Sequence, residues 1–200
     1  MSNARNLANL LGTATAIPSG KLPSGTNVQT VTASGIDFVG NKNGLSINTS
    51  TATKLIEKAI TIKTLNPIIY AMTMFGIGTP SSYQDYDIAI GFGFKTGTAT
   101  TTVTDYSVFG GTDYSRQNVD PLDSFYACDV KGAHSTGSEY WCETKSSSHS
   151  QQITASIGTV INIGVWATTQ AGAYYIHRPQ SHSADAEGEL GSLTVMEIVS

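Results

Sequence analysis

The chain holds two cysteines, Cys128 and Cys142, equidistant from Ser135 in the stretch Gly132-Ala133-His134-Ser135-Thr136-Gly137. A hairpin centred on Ser135 sets Tyr126 opposite Thr144 and Val130 opposite Tyr140. It brings the two sulfurs across one antiparallel ladder at a separation that a disulfide can span. Synthesis in a reducing cytoplasm leaves both as thiols at first, so the pair reads either as a disulfide or as two packed thiols. Other chemistry is sparser. The same stretch misses the hydrolase elbow Gly-x-Ser-x-Gly, because Ala133 stands where the first glycine belongs. Gly91-Phe92-Gly93-Phe94-Lys95-Thr96-Gly97 has one residue too many for a dinucleotide fingerprint and runs into threonines instead of a helix.

His134, His149, His177 and His182 form no i, i+4 pair on a helix and have no cysteine at zinc-like spacing, so they read as loop residues. Asp85 with Asp87, or Asp185 with Glu187 and Glu189, supply oxygens suited to calcium, but neither group has the glycine-punctuated loop of such a site. No metal, cofactor or catalytic residue is therefore expected. What remains are aromatics beside turns: Tyr114 in a Gly-rich segment, Tyr140 and Trp141 next to the hairpin loop, and Tyr174 with Tyr175. Ring faces flanked by Ser, Asp and Arg can stack on a sugar or anchor a protein. Adjacent aromatics on a strand point to opposite faces, so one of each neighbouring pair belongs to the core. Tyr114, Tyr140 and Trp141 are the candidate glycan contacts.

Strands must hold these side chains. Of 200 residues 40% are hydrophobic and only 13% charged, with 26 Thr, 22 Ser and 20 Gly. An ordinary domain is about 25% charged, and disorder needs low hydrophobicity with high net charge, so this chain folds despite its few charges. Thr, Val, Ile, Tyr and Phe suit a pleated, half-buried surface, and strand-like runs fall at 28–33, 36–39, 45–48, 59–65, 68–77, 86–94, 100–108, 125–130, 139–144, 153–156, 160–167, 173–177 and 192–199. Without an intervening helix this leaves an all-β sandwich or barrel; taken with the resemblance below, the expectation is an antiparallel jelly-roll-like sandwich. In Asp87-Ile88-Ala89-Ile90-Gly91-Phe92-Gly93-Phe94 the alternation puts bulky residues on one face and Ala89, Gly91 and Gly93 on the other. Something must approach that small face closely, either a packed loop or sheet or a second subunit.

A net charge of −4 with arginine only at positions 5, 116 and 178 gives no footprint for nucleic acid. No run of about 18 apolar residues exists, so no membrane insertion is expected. The first eleven residues carry one basic group and a polar-interrupted apolar stretch, a poor secretory signal. Instead Ala4, Leu7, Ala8 and Leu11 recur at helical spacing with Asn3, Asn6 and Asn9 opposite, up to a stop at Gly12. So short a helix is ordered only when docked. Residues 12–25 alternate Gly and Pro signals and read as an extended linker, which divides the chain into a helix and linker over 1–24 and a β head over 25–200.

The opening Met1-Ser2-Asn3-Ala4-Arg5-Asn6-Leu7-Ala8-Asn9-Leu10-Leu11-Gly12, followed by Ile17-Pro18-Ser19-Gly20-Lys21-Leu22-Pro23, resembles the N-termini of tail-fibre and head-fibre virion proteins of marine tailed bacteriophages. Gly158 to Trp166, Gly172 to Arg178 and Ser192 to Ile198 resemble the last strands of compact fibre heads. The resemblance implies a non-enzymatic virion protein, assembled in the host cytoplasm, docked on capsid or tail proteins through its N-terminus and commonly trimeric. The long shaft of many tail fibres is missing here, which fits a stubby head fibre, a decoration knob or a compact fibre as well as a host-recognition tip. On this reading Leu7, Leu10 and Leu11 bury in a partner groove and Arg5 pairs with an acid or carbonyl, Asn6 being the further docking residue. Two alternatives stand beside it: a carbohydrate-binding module that recognises a host surface glycan, and a polysaccharide depolymerase.

Overall fold

A computed structural model of the protein describes residues 22–34, 46–47, 52–78, 87–102, 105–109, 127–131, 142–169, 174–176 and 191–200. The docking residues Arg5, Asn6, Leu7, Leu10 and Leu11, the N-terminal helix, most of the linker, the strand expected at 36–39 and the aromatics Tyr114, Tyr140 and Trp141 lie outside them.

The described elements are all strands: β1 (Asn27–Ser34), β2 (Ser46–Ile47), β3 (Thr53–Thr61), β4 (Ile68–Gly78), β5 (Asp87–Thr96) and β6 (Ser107–Val108). They continue with β7 (Ala127–Lys131), β8 (Cys142–Gln152), β9 (Val160–Thr169), β10 (Tyr174–Ile176) and β11 (Ser192–Ile198). One sheet runs β1-β11-β4, with β8 on the far side of β4 and the short β10 and β2 continuing beyond the end of β11. The other runs β3-β9-β5, with β6 and β7 sharing the free edge of β5. The antiparallel pairs nest: β1 with β11, β3 with β9, β4 with β8, and β5 with β6 and β7. The chain is thus one long antiparallel ribbon rolled so that these pairs fall in alternate sheets, the short β2–β10 pair staying in the sheet of β1 and β11. This is a jelly-roll-like sandwich; composition and alternation alone leave a sandwich or a barrel open.

Inward positions build the core between the sheets. Ile69, Ala71 and Phe75 of β4 and Leu193 and Val195 of β11 face Ile90 and Phe92 of β5 and Ile161, Ile163 and Val165 of β9, all fully buried. His149 of β8 reaches into this layer and meets the edge of Phe92 at 5.2 Å between ring centroids, so it is a packed residue, not the loop residue that the sequence suggested.

Several sequence expectations are revised. The hairpin centred on Ser135 does not form, because β7 and β8 belong to different sheets: Cys128 stands opposite Ile90 of β5, and Cys142 opposite Gly78 of β4. Symmetry about a loop says that two strands can pair, but both ladders were already claimed by longer partners. β8 extends to Gln152, well past the expected 144, although Lys145-Ser146-Ser147-Ser148-His149-Ser150 has no apolar alternation; its order comes from pairing along the whole of β4. Residues 153–156 are not a strand. Ile153 and Ala155 alternate inward as a strand would, yet they pad the turn after β3, where the Ile153 N–H donates to Pro67 O at 2.9 Å and the Ala155 N–H to Asn66 Oδ1 at 3.2 Å. Asn66 takes a positive φ of 48° there, a conformation that Asn tolerates better than most residues.

The passage from β3 to β4 carries the chain from one sheet to the other, and its backbone N–H groups need acceptors. Glu197, on β11 and fully buried, supplies them: the Lys63 N–H donates at 3.0 Å, the Thr64 N–H at 2.6 Å and the Thr64 hydroxyl at 2.8 Å. Gln29 of β1 donates from Nε2 to the same carboxylate at 2.5 Å and to Thr61 O at 2.6 Å. Glu197→Gln replaces one acceptor oxygen by a donor facing these N–H groups. The expected loss is about 2–3 kcal/mol of unfolding free energy, read from urea denaturation.

Candidate functional site: the two outer sheet faces

Around Lys54, Glu57 and Trp166 the outer face of the β3-β9-β5 sheet is covered from within the chain. β3 carries a bulge between Lys54 and Ile56, so that Leu55 and Ile56 both turn inward and are buried. Residues three apart on a regular strand point to opposite faces; the extra residue instead returns Lys54 and Glu57 to one face. There Lys54 Nζ donates to Glu57 Oε2 at 2.5 Å and to Thr100 O at 2.8 Å. The Tyr106 hydroxyl donates to Glu57 Oε1 and accepts from the Thr100 N–H at 3.2 Å. The Tyr106 ring meets the Trp166 indole edge-on at 4.5 Å, and the Lys54 ammonium lies 5.7 Å from one ring centroid and 5.8 Å from the other, within cation–π range.

Trp166, fully buried, needs a floor without side chains. A Cβ on Gly164 would stand 2.3 Å from its Cη2, so the indole lies directly across that glycine. Gly93 and Gly91 of β5, both buried, are in register with Gly164 and Trp166. The small residues Gly91 and Gly93 read in β5 thus stand beside the glycine floor on which the indole lies. Further along, Asn162 Nδ2 donates to Gly97 O and the Gly97 N–H to Val160 O at 3.0 Å, which fastens the segment that leaves β5 across β9. Lys54, Glu57, Tyr106 and Trp166 were not singled out from the sequence, because a one-residue bulge gives no compositional signal. The Glu57 carboxylate, the Lys54 ammonium and the Tyr106 hydroxyl are paired within the chain, so the cluster holds Thr100 and Tyr106 against β3.

The outer face of the β1-β11-β4-β8 sheet differs. Its ladder rows read Thr30, Met196, Tyr70, Ser150; then Thr32, Thr194, Met72, Ser148; then Ser34, Ser192, Met74, Ser146. None is Asp, Glu, Lys or Arg. Met72 and Met74 are 39% and 41% exposed, and Thr32 and Thr194 meet hydroxyl to hydroxyl at 3.5 Å. Methionines and a tyrosine run down the middle, with hydroxyls at both margins.

The two ends of the sandwich differ as well. At one end Leu22 packs on Val28 and Val199, and the Gly25 and Val199 N–H groups donate to Val199 O and Thr26 O at 2.9 Å each. The short links at 62–67 and 153–159 lie at this end. The strands bounding 35–45, 79–86, 132–141 and 177–190 run out at the opposite end, which includes the flanks of Tyr140 and Trp141. Tyr114 belongs to 110–126, which leaves and rejoins the edge of β5 between Phe92 and Gly91. Among the described residues no three His, Cys, Asp or Glu converge on a metal position, and no helix is long and apolar enough to cross a membrane.

Two consequences are measurable. Gly164→Ala forces the indole off its floor, with an expected loss of about 1–3 kcal/mol and a weakened near-ultraviolet Trp dichroism band. Burial, aided by the hydrogen bond to the Glu57 carboxylate, pushes the Tyr106 phenol up to about 12 from 10.0. Below pH 10 it is neutral whether folded or unfolded, and between 10 and 12 only the unfolded chain ionises, so stability falls as pH rises through that window. Tyr106→Phe is expected to flatten this part of the pH–stability curve.

No protein-family model matches the sequence, and no curated protein matches it. Among solved structures, a chain from the structure of the infectious bursal disease virus Gx strain shows a likeness at a TM-score of 0.35 and 11% identity, over 94% of this chain and 42% of that one. The chain thus spans about two fifths of that neighbour's length.

Proposed function

We propose that the protein is a non-enzymatic structural component of a bacteriophage virion, held on the capsid or tail through its N-terminal residues and covering the particle or contacting the host with a jelly-roll head. The observation that carries this is the polarity of the sandwich. The N-terminal arm enters at Leu22 on the end that carries the links 62–67, 97–106 and 153–159, while the strands bounding 35–45, 79–86, 132–141 and 177–190 run out at the other. A head attached at one end presents its long segments outward, as a cover or an adhesin requires. The resemblance of the Ala4-Arg5-Asn6-Leu7-Ala8 block to fibre N-termini supplies the attachment point. The internally satisfied cluster around Glu57 and Tyr106 leaves that part of the surface to scaffolding. Three heads side by side would bring three weak tethers to one place, and the second and third then bind at high effective concentration.

Deleting residues 1–21 tests this reading, since Leu22 and Gly25 belong to the head. The truncated protein is expected to fold with unchanged stability and to be missing from purified particles. Its incorporation at wild-type level would defeat the proposal.

A further inference from the structure

We infer that the uncharged outer face of the β1-β11-β4-β8 sheet is the surface through which copies of this chain associate. The inference deepens the reading above by naming the head's partner, a second copy. The argument is electrostatic. Around a symmetry axis each side chain near the axis meets its own copies, so any formal charge there confronts itself. For a chain with net charge −4, a face without ionised groups lets copies meet at the axis without like-charge repulsion, and the rows through Met72, Met74 and Thr194 form such a face.

A hydroxyl both donates and accepts, so rows of Thr and Ser pair with copies of themselves in either direction. Thr32 and Thr194 already show this within one chain. Methionines fill irregular gaps between facing surfaces, and Met72 and Met74 stand out from the sheet at 39% and 41% exposure. A foreign partner of opposite charge finds nothing here to pair with. Four strands of seven residues present a face of about 20 by 24 Å, suited to the dry centre of an interface that buries about 800 Å² per partner. The face also begins beside the end where Leu22 enters, so copies that meet on it with strands aligned carry their N-terminal arms out together.

The test uses the full-length protein, with mass measured by light scattering after size exclusion. The wild type is expected to be oligomeric at micromolar concentration. Met72→Lys and Thr194→Lys bury a charge against its own copy, with association weakened on the order of a hundredfold or more. Ala59→Lys, the same change at an exposed position of β3 on the other sheet, is expected to leave the oligomer intact. Should the lysine variants not fold, peroxide mapping of the wild type decides: Met72 and Met74 oxidise about tenfold more slowly than in the urea-unfolded chain if covered, and at similar rates if not. A monomeric wild type, an oligomer indifferent to Met72→Lys and Thr194→Lys, or one equally broken by Ala59→Lys overturns the inference. An oligomer built elsewhere refutes this face alone, because the tether reading is judged separately by particle incorporation.

Discussion

The roll of this ribbon turns on a buried carboxylate. At the corner after β3 the chain must leave one sheet for the other, and its amides there lack ladder partners. Glu197 reaches them from β11, the last strand, while Gln29 from β1, the first, clasps both the carboxylate and the end of β3. Burying a carboxylate is costly unless its oxygens are well supplied with donors, and here backbone, hydroxyl and amide groups supply them. Closure of the chain ends and passage between sheets are thereby made in one place. Leu22 packs on Val28 and Val199, and Gly25 and Thr26 hydrogen-bond to Val199, so the root of the N-terminal arm is fixed to the head.

A jelly roll has two outer faces, and this one treats them oppositely. The face over β9 is covered by the chain itself. A bulge turns Lys54 and Glu57 to the same side, Tyr106 and Thr100 complete their hydrogen bonds, and Gly164 gives up its side chain so that Trp166 can lie flat. The face over β4 and β11 keeps no charge and shows its methionines to solvent. The scarcity of charge in the sequence thus acquires a location. Hydroxyls line the margins of that face, while described ionic groups such as Lys54, Glu57 and Glu197 are consumed by internal links.

Much of the fold was legible locally. The alternation in 68–77, 86–94, 160–167 and 192–199 marked strands that the structure retains as β4, β5, β9 and β11, because inward and outward positions on a half-buried strand differ in side-chain type whatever the partner is. β8 was legible only in part. Its Ser-rich sequence carries no alternation and becomes a strand because β4 offers it a full ladder. The candidate surface was the least readable. Met72, Met74 and Thr194 each look like ordinary strand residues, and only their register across four strands makes a charge-free face.

By itself, then, the sequence determined the all-β class, the main strands and the small face of β5, since these follow from side-chain alternation and backbone propensity within a few residues. Tertiary structure alone decided that Cys128 and Cys142 go to different sheets, that a bulge pairs Lys54 with Glu57, that Glu197 becomes the corner's acceptor, and which outer face remains open. The reason is physical. Asn27 pairs with Ile198 and Thr53 with Ala167, and over such separations the choice of partner is settled by competition for burial and for backbone hydrogen bonds, which no local stretch of residues encodes.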